Sequence, residues 1–177
     1  MNKVLLVVDY QRDFVDGALG FPGAEKLDAA IAQRVREYGK GRVWFTRDTH
    51  FEDYLDTREG RHLPVPHCLK GSDGWQNYGE TARALEEVEA VGIDKRTFAM
   101  DIADPEILSR LPETADRIEL CGLVSNICVV SNAMALQGHY PNAQLVVDAN
   151  LTASFAPDLH EKTLDVLAGV QAEILNR

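Results

Sequence analysis

The sequence has few cysteines, a deficit of basic charge and no long apolar run, and each shortage excludes something. Three cysteines in 177 residues are too few, and odd in number, for a disulfide scaffold. With no export signal beside them they point to reduced thiols and a cytoplasmic address. A net charge of −10 and a pI near 4.9 argue against nucleic acid or an anionic membrane as partner. No apolar stretch approaches the roughly 18–20 residues that a membrane span needs. The opening MNKVLLVVDY resembles a signal peptide only superficially. Its apolar run, Val4 to Val8, is too short for an h-region and ends in Asp9 without a small-residue cleavage site.

What is present is the pattern of a soluble globular chain, 45% hydrophobic and 26% charged. Its length suits one domain, residues 1–177, burying roughly 70% of the surface exposed by the unfolded chain. VLLVVD (4–9), RVWFTR (42–47), EAVGIDK (89–95), RIELCGL (117–123), AQLVVDA (143–149) and VQAEIL (170–175) read as strands. The first is continuously apolar, as a parallel strand buried on both faces should be. Helices fall between them: 24–38, with Leu27, Ile31 and Val35 at helical spacing and Gly39 as the stop; 104–111, capped by Asp104 with Pro105 at the first position; 126–139; and 157–168. This alternation predicts an α/β fold, a doubly wound, mainly parallel six-stranded sheet with helices on both faces, Rossmann-like in outline. No repeat or low-complexity tract interrupts it. The exception is a polar, histidine-rich loop from about residue 48 to 78, and loops of that length are usually functional.

Open α/β sheets bind ligands beyond the carboxyl ends of their strands. Asp9, Asp48, His50, Lys95 and Cys128 all fall on that rim. Alone, Asp9 reads as a solvated strand end and Lys95 as one more surface lysine. Together they put a carboxylate and an ammonium near one centre, each perturbing the other. Cys121 alternates with apolar neighbours and reads as core. Cys128 lies two residues into the helix expected from Asn126, where backbone N–H groups and the helix dipole lower a thiol pKa. A pKa of about 6 would make it roughly 90% thiolate at neutral pH, and the same N–H groups could hold an oxyanion.

The loop supplies a second constellation. Asp48 and His50 are two apart, so in extended chain both leave the same face. His67 returns after a stiff Pro-Val-Pro, and Glu59 and His62 are possible additional ligands. Two imidazoles and a carboxylate suit one divalent transition metal ion, Zn, Fe or Mn. Cys68, beside His67, has no role legible from spacing.

The blocks VVDYQRDF, TRDTH, LPVPHCLKGSDGW, IDKRTF and CGLVSNICVVSNAM resemble, in this order, those of the isochorismatase-like cysteine hydrolases. The D-x-H…H block is similar to the nicotinamidase branch. The resemblance covers nearly the whole chain. It implies a catalytic triad of Asp9, Lys95 and Cys128, in which the thiolate attacks an amide carbonyl, the aspartate moves the proton to departing ammonia, and water cleaves the thioester. It implies metal ligands Asp48, His50 and His67, with Glu59 preferred over His62 as the fourth. It further implies substrate contacts from Phe14, Val124 and Ser125, and a non-proline cis peptide between Val124 and Ser125. A small-molecule amide substrate and a homo-oligomeric assembly are implied in the same way. Three positions depart from the branch. Pro64 stands where an aromatic ring usually stacks on the substrate, leaving Tyr54 or Trp75 to supply a second wall beside Phe14. Ser125-Asn126 replaces the usual Thr-Asp, and the fourth ligand varies.

Other readings make different demands. Hydrolysis of another small amide or C–N bond keeps the same triad. Vinyl-ether hydrolysis of isochorismate typically lacks the nucleophilic cysteine, so Cys128 counts against it. A phospho-accepting signalling domain needs an acidic pair after the first strand and the acceptor after the third, where this chain has a single Asp9 and Lys95. An inactive binding member would not need all three triad positions filled.

Overall fold

The computed structural model describes residues 2–177. Its sheet has six strands in the order β3-β2-β1-β4-β5-β6, every neighbouring pair parallel. They are β1 (Lys3–Val8), β2 (Val43–Asp48), β3 (Val91–Lys95), β4 (Arg117–Leu123), β5 (Gln144–Ala153) and β6 (Glu173–Leu175). The helices are α1 (Arg12–Val15), α2 (Asp28–Tyr38), α3 (Arg58–His62), α4 (Gly79–Glu87), α5 (Pro105–Arg110), α6 (Val130–His139) and α7 (Pro157–Gly169). This is the doubly wound α/β architecture expected from the alternation.

Two apolar cores lie on opposite faces of the sheet, because successive strand residues point to opposite sides. Val4, Leu6 and Val8 of β1 pack with residues of α5, α6 and α7. Leu5 and Val7 pack with residues of α2 and α4. β1 is therefore buried on both faces, which is why its sequence is continuously apolar.

The elements differ from expectation at their ends. Residues 24–27 form a 3₁₀ turn before α2. β5 runs on to Ala153, while β6 is only three residues long. α4 was not anticipated, although Thr81, Ala84, Leu85 and Val88 line its buried side. The region 48–78 is pinned rather than open: it contains a 3₁₀ turn at Tyr54–Asp56, α3, and bridges pairing Gln11 with Asn77 and His50 with Leu69. The segment after β4 does not begin as an α-helix. A π-helical turn, Ser125–Val129, comes first, and α6 follows. In it Ile127 and Val129 both donate to the Val124 carbonyl, at 3.1 and 3.2 Å. The cis peptide joins Leu123 to Val124, not Val124 to Ser125. β4 already ends at Leu123, so the junction of strand and turn falls one residue earlier than the resemblance implies.

Candidate active site

Register brings the rim together. Asp48 and Lys95 are paired residues at the ends of β2 and β3, and Asp9 follows β1, the next strand over. Asp9 takes a left-handed φ of 44°, which aspartate tolerates better than most residues, and this ends the strand. Opposite it, Gly122 of β4 has φ 104°, and a Cβ there would strike the backbone of Val8. Only glycine permits that approach of β4 to β1 just below the site.

Lys95 is the hub, fully buried although most lysines are solvated. Its Nζ lies 2.7 Å from Asp9 Oδ2 and 3.4 Å from Asp48 Oδ1. It donates to the Thr97 carbonyl at 2.9 Å and sits 3.7 Å from Cys128 Sγ. Asp9 Oδ1 accepts a 2.6 Å hydrogen bond from the Thr46 hydroxyl. Oδ2 carries the ion pair to Lys95, and the Asp9 carboxylate is within hydrogen-bonding reach of the Cys128 thiol.

Burial governs the proton affinities here. Burial raises the Asp9 carboxyl above its usual range, with the Lys95 charge opposing. Burial alone would lower Lys95, but the charges of Asp9, Cys128 and Asp48 outweigh it and raise the ammonium. The Cys128 thiol moves up, not down as its position near a helix start suggests. Burial holds it well above the usual thiol value, Lys95 works against this, and Asp9 and Asp48 reinforce it. Cys128 is only 5% exposed, and desolvation of the sulfur is the largest influence on it. The resting group is a thiol beside a carboxylate.

A second cluster adjoins the first through Asp48. One ligand atom each from Asp48, His50, Glu59 and His67 lies within 4.8 Å of the others. His50 Nε2 is 3.0 Å from Asp48 Oδ2 and 3.6 Å from Glu59 Oε1; His67 Nε2 is 3.5 and 3.7 Å from the same atoms. His67 Nδ1 lies 2.8 Å from the Val65 carbonyl. A carbonyl can only accept, so Nδ1 carries the proton and Nε2 presents its lone pair to the cluster. Burial alone would raise Asp48, yet Lys95 and His50 hold it well below the usual carboxylate range. Burial disfavours charge on His50, but Asp48 and Glu59 raise it to about 9. Converging lone pairs and carboxylates that draw a proton onto histidine make a donor set suited to a cation. His62 points elsewhere, exposed, with Nδ1 against the Arg58 carbonyl.

The Phe14 ring is 5.5 Å from that of His67. Tyr54 packs behind the two imidazoles, 4.6 and 5.1 Å away, with its hydroxyl tied to the Leu63 carbonyl. Trp75 stacks under Arg47 at 3.7 Å and donates to Thr49. Ser125 is buried with its hydroxyl 2.9 Å from His160 Nδ1. Val124 is nearly buried beside it. A cavity of about 730 Å³ beside the β3 edge reaches Thr49 and Lys95 but not Cys128, Asp9 or the histidines. The thiol itself is almost sealed. Cys121 and Cys68 are wholly buried, and burial raises both thiols far above their usual value.

Sequence reasoning passed over the residues that hold these groups. The Gln11 amide accepts from the Asp48 N–H at 2.7 Å and donates to the Asp48 and Trp75 carbonyls at 2.9 Å each. Asp13 accepts from the Cys68 N–H at 2.7 Å, fixing the loop segment beside His67. Both lie in the quoted block VVDYQRDF, so the only available signal was two polar residues in a segment that leaves a buried strand.

Fold and site together define a doubly wound α/β enzyme of the hydrolase class, with a thiol, a carboxylate and an ammonium converging at the strand ends. The Isochorismatase domain family model matches residues 3–177, and the chain belongs to that family. Among solved structures it is similar to the pyrazinamidase/nicotinamidase of Streptococcus mutans UA159, with 28% identity, TM-score 0.82, and 98% and 99% of the two chains covered. It is also similar to the nicotinamidase/pyrazinamidase of Bacillus subtilis, with 27% identity, TM-score 0.81, and 99% and 100% covered. The pyrazinamidase of Pyrococcus horikoshii in complex with zinc shares the fold at 23% identity and TM-score 0.79, with both chains fully covered. No curated protein matches the chain in sequence. Among the described residues, no helix is long and apolar enough to cross a membrane.

Proposed function

We propose that the chain is a metal-containing cysteine amidohydrolase that cleaves a small amide, most simply nicotinamide to nicotinate and ammonia, through a thioester on Cys128. The observation that carries this reading is one buried ammonium, Lys95, lying 2.7 Å from Asp9 and 3.7 Å from Cys128 Sγ. The family membership and the two nicotinamidase structures above 25% identity support it.

The chemistry follows from the protonation states. Cys128 rests as a thiol, so its proton must leave as the sulfur attacks the amide carbonyl. The Asp9 carboxylate, hydrogen-bonded to the thiol, receives it, and its upward-shifted proton affinity makes it a competent base for that transfer. The Lys95 ammonium stabilises the negative charge passing between sulfur and carboxylate. The N–H of Cys128 would hold the carbonyl oxygen, since those of Ile127 and Val129 are already spent on the Val124 carbonyl. As the C–N bond breaks, Asp9 returns the proton to nitrogen and ammonia departs. Asp9 then takes a proton from water, which attacks the thioester; as the C–S bond breaks, Asp9 returns that proton to the sulfur, the acid leaves and the thiol is restored. Asp48, His50, His67 and Glu59 would hold a divalent ion. When bound, that ion supplies a Lewis-acidic anchor for a ring nitrogen of the substrate, while the residues of this chain carry every proton.

A second reading, another small amide, is favoured by the wall opposite Phe14. Pro64 removes one ring, and Tyr54 and Trp75 are both committed elsewhere. Ammonia release from a panel of small amides including nicotinamide separates the two. Cleavage of nicotinamide supports the first, cleavage of others only supports the second, and release from none rejects both.

A further inference from the structure

Asn132 is a wholly buried amide four residues after Cys128, on α6. Its Oδ1 accepts from the Met100 N–H at 2.9 Å. Its Nδ2 donates to the Cys128 carbonyl at 2.8 Å and to the Phe98 carbonyl at 3.1 Å. Both amide protons and one carbonyl lone pair are thus spent on backbone, on two segments distant in sequence. One segment is the turn that carries the sulfur. The other is the loop leaving β3, whose Thr97 carbonyl, one residue before Phe98, accepts from Lys95 Nζ.

An apolar side chain of similar volume would fill the same space but strand the buried Met100 N–H and the Phe98 carbonyl. Three directed bonds do what packing does not: they fix the height of the Cys128 backbone against the loop that holds the ammonium. We infer that Asn132 is a positioning residue that sets the separation of Cys128 Sγ and Lys95 Nζ. This rests on the reading of Cys128 as nucleophile and Lys95 as its charge partner.

Two variants test it. Asn132→Leu keeps volume and deletes all three bonds. Asn132→Thr retains a donor able to reach the carbonyl four residues back, that of Cys128, and loses the loop. Displacing reacting groups by about an ångström can cost about a hundredfold. Both variants, shown folded by near-ultraviolet circular dichroism, are expected to lose about tenfold to a hundredfold in kcat for ammonia release, with KM within about twofold. The rate of Cys128 alkylation by iodoacetamide, located by peptide mass spectrometry, is expected to fall with it, because the Lys95 charge that favours thiolate is no longer held near. Should Asn132→Leu not fold, Asn132→Thr decides. Wild-type alkylation rates in the folded variants would overturn the inference. Absence of ammonia release from wild-type protein would instead reject the functional reading, and the alkylation comparison would still test the clamp.

Discussion

Replacing Lys95 with methionine removes the hub and leaves its shape. The ammonium lies 2.7 Å from Asp9 and 3.4 Å from Asp48. At an effective dielectric near 20 those contacts correspond to about 6 and about 5 kcal/mol of attraction. Most of this offsets the desolvation of three buried charges, so the net effect is smaller. Removing one partner of a buried pair and stranding the other typically costs about 3–5 kcal/mol. Here two carboxylates would be stranded, and part of the loss is relieved when one takes a proton. Urea denaturation of Lys95→Met should therefore show a loss of about 3–5 kcal/mol, measured with and without chelator because an ion at Asp48 would share its charge. The double variant Asp9→Asn/Lys95→Met should recover part of that loss, since it removes a charge of each sign, and should release no ammonia. A single variant within about 1 kcal/mol of wild type, or a double variant additive in its two losses, would refute the buried ion pair as the organising contact.

Other outcomes follow from the same geometry. Cys128→Ala is expected to abolish ammonia release, whereas Cys121→Ser, which buries a hydroxyl near the Leu6 carbonyl, should cost about 1–3 kcal/mol of stability and leave kcat intact; equal loss of activity in both would reject the division of roles. Asp9 is raised by burial, so its base form is lost as pH falls through a value above the ordinary aspartate pKa, and the acid limb of kcat/KM should lie there. Thr46→Val deletes the 2.6 Å hydrogen bond that favours the charged carboxylate and should move that limb upward by about one to two pH units, given about 1.5–3 kcal/mol for a bond to a charged group; a downward or absent shift counts against Asp9 as base. Chelation, or His67→Ala, should raise KM and leave the Cys128 alkylation rate nearly unchanged; unchanged KM in demonstrably metal-free protein would reject the ligand role of the loop.

Much of the fold and of the candidate site is legible in the sequence, because strand ends carry their own signal. A continuously apolar run that stops at Asp9, and strands that end at Asp48 and Lys95, place three groups on one rim. The spacing of Asp48, His50 and His67 marks a donor set in the same way. What resisted reading depends on contacts between remote segments. Gln11 and Asn132 act through amide bonds to backbone, which leave no periodic trace. The state of the Cys128 thiol turns on burial, and its place near a helix start suggested the opposite. α4 was missed for a different reason: Thr81 and Ala84, two of the four residues on its buried side, are too small or polar to raise an apolar stripe. The contacts of Tyr54 with the two imidazoles and Leu63, and of Trp75 with Arg47 and Thr49, likewise join segments that no spacing connects.

The most direct test is acid quenching during turnover of whichever amide in the panel is cleaved fastest, followed by mass analysis of the proteolytic peptides. An acyl group of that substrate should appear on the peptide bearing Cys128 and vanish when turnover is allowed to finish. Undiminished ammonia release by Cys128→Ala, or an acyl group carried by Cys68 or Cys121, would contradict the account.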